Sequence, residues 1–467
     1  MRGTESGSGL NGMMKNVLIT RQQTVSRYFY DGLRPSQSNF IRKTTVCLRS
    51  FTSICVDRVA VGMVILMKKA TPIYRNCPVC GCKNADLLFP VNLYAEDLKL
   101  PSSYDAVQCS SCGMCYADTS ASEKDYEQYY SNFNYYSTVP SDGETAKEEH
   151  ILRYRAIEQI LLQYSGHSQR IIDIGFGKGE LLQYLQEKNY ERLAGMDPSE
   201  DSVILLNQKG IDVFCSSIQK EIPQVQKGKY NLVIMIDVLE HLLLPNLALQ
   251  NIRKLLKPSG HLILGLPIFN DLSKYRLPLI NIINHEHINF FSKTTLRLLT
   301  ERNGFHEIES LQVDVEIERE SRTHGILAIY RMDDLGGGSK SYYDGITGSV
   351  LRGYSQMQAA SLSSCFNMLK DLAESRAPVA IWGVGTYLRY LWYESAISLC
   401  NVQMLVDGNV QKQSHYFAGF RIQPPQQLNK FEGMLLIASM RYQNEIAFEA
   451  KKFGFCGKIR TIPTMMG

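Results

Sequence analysis

The sequence predicts an α/β protein: a parallel sheet with helices on both faces, a cysteine-rich module before it and a smaller α/β domain after it. Three observations support this class. Between about residues 170 and 332, short apolar strands alternate with amphipathic helical patterns, as in parallel sheets. A glycine-rich turn follows the first of these strands. A second and shorter alternation of the same kind begins at Val379.

Composition limits the classes of protein that need to be considered. With 467 residues, the chain is too long for one ordinary core, so two or three domains are expected. A hydrophobic fraction of 44% and a charged fraction of 21% are typical of a globular protein. A formal net charge of +4 is too small for the dense basic patch of a nucleic-acid binder. We therefore expect no nucleic-acid partner.

Four segments follow from these patterns. Residues 1–66 are rich in Arg, Ser and Thr and poor in acids, and we interpret them as a disordered or non-native extension before a start at Met67. A mitochondrial transit sequence is the alternative. The remaining segments are a metal-binding module at 67–125, the central sheet with a helical connector at 126–335, and a Rossmann-like α/β domain at 336–467, which begins at the glycine-rich break 336–338.

Half of the cysteines fall within one short segment. They form two C-x-x-C-G motifs, Cys77 with Cys80 and Cys109 with Cys112, while Cys82 and Cys115 are spare. In each motif the glycine permits the turn that aims two thiolates at one point, so the two motifs predict a structural Zn²⁺ site. Buried free cysteines are the alternative. Such clustering favours a reducing compartment, so we predict a cytoplasmic protein. The apolar stretch 59–66 is too short to span a bilayer.

The glycine turn follows an apolar strand and precedes a helix. Gly175, Gly177 and Gly179 have the spacing G-x-G-x-G, because Glu180 stands where a dinucleotide fingerprint has its third glycine. Pyrophosphate is thus not the expected ligand, although a ligand close to the bare main chain is. Asp197 ends the next strand, 18 residues after Gly179. A carboxylate there can accept both hydroxyls of a ribose.

Four motifs in order carry a resemblance to a known class. IIDIGFGKG, AGMDPSE, YNLVIMIDVLEHL and LLKPSGHLILGLP resemble the class I S-adenosylmethionine-dependent methyltransferases. The resemblance implies a Rossmann-like seven-stranded sheet with S-adenosylmethionine across the strand ends. The residues that it assigns to the cofactor are Asp173, Gly175, Phe176, Gly177, Gly179, Asp197, Pro198, Ser216, Asp237 and Glu240. For the last two, a solvated start of a helix is an equal explanation.

The candidates for acid–base chemistry lie in the run Asn284-His285-Glu286-His287. A neutral histidine can take a proton from a methyl acceptor, and an adjacent carboxylate can orient it or act as the base itself. On an extended backbone, His285 and His287 point to one side and Glu286 to the other. Each histidine can equally be the partner of a backbone carbonyl.

The order of the segments resembles the nucleotide-sugar C-methyltransferases. The matching pieces are CPVCG with CSSCG, the His-Glu-His run, and AIWGVGTYLRYL in the last domain. The resemblance implies methylation of a carbon beside a ketone in a nucleotide-linked deoxysugar, with His287 as the base and Glu286 beside it. Asn284 stands where that family has tyrosine. An O-methyltransferase acting on a sugar hydroxyl is therefore the alternative.

Two other classes are further alternatives. A nucleic-acid methyltransferase with a zinc ribbon would need a basic, aromatic surface, whereas the connector at 123–149 is rich in acids. A non-catalytic scaffold that binds the cofactor is less compatible with the intact glycine turn. In the last domain, Gly383 and Gly385 follow a strand, but Leu388 replaces the third glycine of an NAD fingerprint. The oligomeric state is not predicted.

Overall fold

The computed structural model describes residues 74–93, 100–132, 148–164, 166–275, 278–318, 321–333, 342–410, 412–439 and 442–462. The extension 1–66, the start at Met67 and the break at 336–338 lie outside these residues. The strands are β1 (Ala85–Asn92), β2 (Ser103–Cys109), β3 (Cys115–Asp118), β4 (Ile171–Ile174), β5 (Leu193–Asp197), β6 (Asp212–Cys215), β7 (Tyr230–Ile236), β8 (Leu256–Pro267), β9 (Asn289–Phe290), β10 (Phe305–Glu318), β11 (Ser321–Met332), β12 (Val379–Trp382), β13 (Val402–Val406), β14 (Tyr416–Phe417), β15 (Phe420–Gln423), β16 (Met434–Ile437) and β17 (Lys458–Thr461). The helices are α1 (Glu123–Asn132), α2 (Glu148–Tyr164), α3 (Glu180–Glu187), α4 (Glu200–Gln208), α5 (Pro245–Leu255), α6 (Lys293–Arg302), α7 (Thr347–Ser375), α8 (Thr386–Glu394) and α9 (Gln443–Lys452).

A small antiparallel sheet carries the cysteine motifs. Its strand order is β1-β2-β3-β9. The first three strands come from the cysteine-rich segment, but β9 follows the His-Glu-His run far along the chain. Cys115 of β3 pairs with Phe290, and Tyr116 pairs with Asn289. The cysteine-rich segment therefore completes its sheet with the strand that follows the predicted catalytic run, which the sequence did not indicate.

The central sheet has the order β10-β11-β8-β7-β4-β5-β6. Its seven strands confirm the number implied by the resemblance. Strands β4 to β8 are parallel, while β11 runs antiparallel to both of its neighbours, β8 and β10. The predicted strands Ile171–Ile174 and Leu193–Asp197 are both present, and their residues are buried because helices cover both faces. The carboxyl ends of the parallel strands meet at one edge, where ligands of such sheets bind.

The third sheet, in the last part of the chain, has the order β14-β15-β13-β12-β16-β17. All of its strands are parallel except β14. Helix α7 precedes it in the chain. Its first half packs Leu351 and Tyr354 into the core beside the cysteine-rich sheet, and its second half packs Cys365 and Leu369 against the third sheet. Among the described helices, none is both long and apolar enough to cross a bilayer.

Candidate active site

A cavity of ≈ 450 Å³ opens at the carboxyl ends of the central strands. It brings together many residues that the sequence assigned to cofactor or catalysis: Gly175, Gly177, Asp197, Pro198, Ser216, Asp237, Glu240 and His287. Five other residues that the sequence assigned do not line the cavity: Asp173, Phe176, Gly179, His285 and Glu286. Phe176 instead packs in the core between the sheet and α2.

The three positions of the turn require glycine for different physical reasons. All of them adopt a left-handed backbone, with φ of 71° at Gly175, 54° at Gly177 and 70° at Gly179. A side chain at Gly175 would meet Val238, and one at Gly179 would meet Leu206. Only at Gly177 does the space beyond the main chain stay open. The cavity and close packing of side chains therefore share the glycine requirement.

Asp197 is anchored by main-chain amides. Its side chain is 7% exposed, and one carboxylate oxygen accepts a hydrogen bond of 2.9 Å from the amide of Gly177. The other oxygen accepts a bond of 2.9 Å from the amide of Ser199. Burial raises the pKa of Asp197, whereas the two amides oppose that rise. A carboxylate oxygen has further lone pairs, so the held group can still accept hydroxyl donors from the cavity.

Two more acids surround one arginine beside the turn. Arg153 of α2 donates to the carboxylate of Asp237, which has φ of 53° although it is not a glycine. Such a left-handed aspartate is strained and persists where its surroundings fix it, often at functional sites. Asp173 is only 4% exposed and is not among the residues that line the cavity. Burial and the nearby charge of Asp197 raise the pKa of Asp173 to about 8, against the pull of Arg153.

The raised pKa of Asp173 gives a pH prediction. Because the folded pKa of about 8 exceeds the ordinary 3.8, the stability from a neutral Asp173 is complete in acid and is lost as pH rises through about 8. Between pH 3.8 and about pH 8, we expect the free energy of unfolding of the ligand-free protein to fall by up to about 1.4 kcal/mol per pH unit. Urea titrations between about pH 5 and pH 9 should show a flatter curve for Asp173→Asn. The exposed Asp212→Asn is the control, and an unchanged slope in Asp173→Asn would contradict the assignment.

The His-Glu-His run is bent, so the expectation of an extended backbone is wrong. The carboxamide oxygen of Asn284 accepts hydrogen bonds from the amides of Glu286, at 2.8 Å, and His287, at 3.0 Å. Such bonds from an asparagine to the following backbone make a tight turn. Only His287 of the run then lines the cavity, whereas the carbonyl of His285 and the carboxylate of Glu286 face helix α1. Asn284 thus has a clear structural role in shaping this loop.

Helix α1 covers the loop with three tyrosines that the sequence analysis left without a role. Tyr126 donates to the carbonyl of His285 at 3.0 Å, and Tyr129 donates to the carboxylate of Glu286 at 2.7 Å. Tyr130 lies 3.2 Å from Nδ1 of His241. Positions i, i+3 and i+4 lie on one helical face, and this spacing was the available signal. The helix therefore fixes the loop and lines the cavity.

Two histidines and a glutamate meet at the cavity wall. Glu240 and His241 lie in a short 3₁₀ helix after β7, and the rings of His241 and His287 lie 4.9 Å apart at 71°. Nδ1 of His287 is 2.9 Å from the carbonyl of Ile282, so Nδ1 carries a proton and Nε2 does not. Burial lowers the pKa of both histidines and raises that of Glu240 well above its ordinary value. Neutral imidazoles are therefore expected at neutral pH.

Arg75 links the cysteine-rich sheet to these loops. Its guanidinium donates to the carbonyls of Leu243, at 3.0 Å, and Ile288, at 3.3 Å, and to the side chain of Asn289, at 2.8 Å. The amide group of Asn289 in turn donates to three carbonyls in the loop that carries Glu240 and His241. One buried network thus spans from the cysteine motifs to both histidine loops, and no local sequence signal indicated it.

The four paired cysteines form one cluster. Sγ atoms of Cys77 and Cys112 are 3.6 Å apart, and those of Cys80 and Cys109 are 3.5 Å apart. Four thiolates around Zn²⁺ at about 2.3 Å have sulfur separations of about 3.8 Å, so the cluster fits a tetrahedral ion. The spare Cys82 contacts Asn84, and Cys115 donates to the carbonyl of Gly113. Neither joins the cluster.

A second cavity, of ≈ 600 Å³, lies at the strand ends of the third sheet. Asp407 follows β13 and accepts a hydrogen bond of 2.8 Å from the amide of Val384, as Asp197 does from Gly177 in the central sheet. Its carboxylate also contacts the ammonium of Lys412 at 3.3 Å. In both sheets, an aspartate at the end of the second strand therefore accepts a hydrogen bond from an amide in the turn after the first strand.

Comparisons with known proteins agree with this geometry. Residues 148–310 match the family model described as a methyltransferase domain. A search of curated proteins finds no match. Given this match and the sheet order, residues 148–310 form a class I S-adenosylmethionine-dependent methyltransferase domain, and the protein is a methyltransferase enzyme.

Solved structures with a similar fold include three methyltransferases. An S-adenosylmethionine-dependent methyltransferase from Methanosarcina mazei is 15% identical, with 37% of this chain and 96% of its own covered at a TM-score of 0.31. The N-methyltransferase NodS from Bradyrhizobium japonicum, in complex with S-adenosyl-L-homocysteine, is 20% identical, with coverages of 40% and 89% and a TM-score of 0.33. A methyltransferase from Mesorhizobium loti is 16% identical, with coverages of 40% and 98% and a TM-score of 0.32.

Proposed function

We propose that the protein methylates a carbon beside the ketone of a nucleotide-linked deoxysugar, with His287 as the base. The observation that carries this proposal is the state of one imidazole. The carbonyl of Ile282 keeps the proton of His287 on Nδ1, so the unprotonated Nε2 belongs to a ring that lines the cavity. Because Nε2 carries no proton, His287 can take one from the acceptor without first losing its own.

The charge of the cavity supports a cationic methyl donor. Its described walls carry the acids Glu123, Glu127, Asp197, Asp237 and Glu240, whereas Arg153 is the one arginine or lysine among them. When bound, S-adenosylmethionine supplies an electrophilic methyl group on a positively charged sulfur. Asp197 would hold its ribose hydroxyls, and the open main chain at Gly177 would lie against it. The same acids would keep the acceptor's diphosphate outside and admit its sugar ring.

Each residue of the site then has a separate role in the reaction. Nε2 of His287 takes the proton from the carbon beside the ketone, and the electrons of that C–H bond form an enolate whose carbon takes the methyl group. Glu286 does not line the cavity, so we assign it the role of holding the loop through Tyr129. His285 acts likewise through its carbonyl. The four cysteines would hold a structural Zn²⁺, which has no open position for chemistry.

Transfer to oxygen is the second candidate, and Asn284 favours it. Its carboxamide is engaged by two backbone amides, so it offers no phenol-like acid to the ketone of an enolising substrate. A sugar hydroxyl needs only the single base that His287 provides. Either acceptor is a small molecule.

Proton exchange distinguishes the two candidates. Without a methyl donor, the enzyme in D₂O should introduce deuterium beside the ketone of nucleotide-linked keto-sugars, because His287 removes that proton reversibly. His287→Gln should slow the exchange by about 10²-fold or more, whereas the exposed His306→Gln should exchange like wild type. Methyl-labelled S-adenosylmethionine and a panel of nucleotide-linked keto- and hydroxy-sugars then locate the methyl group by mass spectrometry. Label on oxygen without any exchange would replace C-methylation by O-methylation.

A further inference from the structure

Glu240, His241 and His287 form a group of metal-ligand side chains outside the cysteine cluster. One ligand atom from each residue lies within 4.8 Å of the others. Two imidazoles and one carboxylate are a common ligand set for divalent first-row transition metals, and they leave coordination positions open for other ligands. All three residues line the cavity in which the methyl acceptor would bind. The open positions would thus face the acceptor.

Glu240 gives an independent sign of a missing cation. Its side chain is 0% exposed, and neither carboxylate oxygen has a hydrogen-bond partner among the described residues. A buried carboxylate without a partner is costly, and such groups are normally paired or bound to a metal. Arg153 lines the same cavity but donates to Asp237 instead. Among the described residues, Glu240 therefore has no positively charged hydrogen-bond partner.

Both histidines are oriented as metal ligands usually are. A histidine that binds a metal through one nitrogen generally has its other nitrogen held by a carbonyl, a carboxylate or a similar group. Ile282 holds Nδ1 of His287 in this way, and Tyr130 lies 3.2 Å from Nδ1 of His241. Nε2 of His241 lies 3.8 Å from Glu240. Metal–ligand distances of about 2.1 Å allow separations up to about 4.2 Å, so binding requires only a small inward movement.

We propose that Glu240, His241 and His287 bind one divalent transition-metal cation that coordinates the oxygen of the methyl acceptor. The cation would hold that oxygen and polarise it. This proposal rests on the proposed function. Nε2 of His287 cannot be a ligand and a proton acceptor at the same time, so Glu240 and His241 would keep the cation while His287 leaves it to take the acceptor's proton.

Mn²⁺ titration tests the proposal without any acceptor. Manganese suits carboxylate and imidazole ligands better than thiolates, so the cysteine cluster, first filled with zinc, should not compete. The loss of the free Mn²⁺ signal in electron paramagnetic resonance should show one bound ion per chain. Glu240→Gln and His241→Ala should each weaken binding by at least about 10-fold. The control Glu127→Gln, an acid on the same cavity whose carboxylate pairs with Lys220, should bind Mn²⁺ like wild type.

The outcomes separate this proposal from the proposed function. Wild-type affinity in Glu240→Gln, or no Mn²⁺ binding by the zinc-loaded wild type, would overturn the metal site. Circular dichroism and thermal unfolding of each variant check that the variant is folded. If no acceptor from the panel is methylated, the Mn²⁺ result still stands, because it uses no acceptor. If Mn²⁺ does not bind while deuterium exchange depends on His287, the metal site fails and the base role survives.

Discussion

Replacing Cys112 by serine is expected to abolish methyl transfer although the cysteine lies outside the cavity. The Zn²⁺ proposed for the cysteine cluster would contribute folding free energy outright, since small structural zinc modules are generally unfolded without their ion. The carbonyl of Cys112 also accepts a hydrogen bond of 2.9 Å from the amide of Asp344, just before helix α7. Strand β3 starts three residues later and pairs with β9. Loss of the ion should therefore displace β9 and the His-Glu-His run.

Arg75→Gln separates this positioning effect from loss of the metal. It removes hydrogen bonds from the guanidinium to the carbonyls of both histidine loops but leaves the cysteines in place. A displacement of about 1 Å in a catalytic group can lower turnover by about 10²-fold, so we expect a loss of that order in kcat. Zinc content, measured by elemental analysis, and the Kd for S-adenosylmethionine should stay near wild type. Full turnover in Cys112→Ser would refute the coupling.

Replacing Asp197 by alanine is expected to lower the affinity for S-adenosylmethionine by about 10² to 10⁴-fold. Each hydrogen bond to a charged group contributes about 1.5–3 kcal/mol, and two ribose hydroxyls would be lost together. A factor of ten corresponds to about 1.4 kcal/mol. The amides of Gly177 and Ser199 would also lose their acceptor, which adds disorder to the turn. Calorimetric titration of the purified protein measures the change.

The product of the reaction makes the Asp197 experiment specific. S-adenosylhomocysteine has the same ribose but no sulfonium charge, so Asp197→Ala should weaken both ligands by the same factor. A variant of a charged wall residue such as Asp237→Asn should instead weaken S-adenosylmethionine more, because the carboxylate acts on the positive sulfur. Equal binding of S-adenosylmethionine by wild type and Asp197→Ala would remove the ribose assignment.

The central sheet could be predicted from the sequence because its signals are local. Most of the parallel strands are short apolar runs, and β4, β5 and β7 are each followed by a helical period. The antiparallel strand β11 was not predicted, since the alternation indicated a parallel sheet and the resemblance implied only seven strands. Strand β9 was missed because two residues carry no periodicity, and its pairing is with a segment about 170 residues away.

The site was predicted less completely for a related physical reason. Turn chemistry overrode the expected alternation at His285 and His287, since Asn284 binds the amides that an extended strand would have offered elsewhere. The contributions of Arg75 and the tyrosines of α1 arise from hydrogen bonds between distant segments. Glu240 was ambiguous because a sequence does not reveal burial, and it is the burial of this carboxylate without a partner that gives it chemical meaning.

Helix α7 also determines which fragments of the protein can retain activity. Tyr354 donates to the carbonyl of Tyr275 at 3.1 Å, and Gln358 accepts from the amide of Leu279 at 2.8 Å. The first half of the helix therefore supports the segment that precedes the His-Glu-His run. A fragment that ends before residue 342 would lose both supports. A fragment that retains the catalytic half must therefore extend past Gln358, well inside the segment that sequence alone assigned to the last domain.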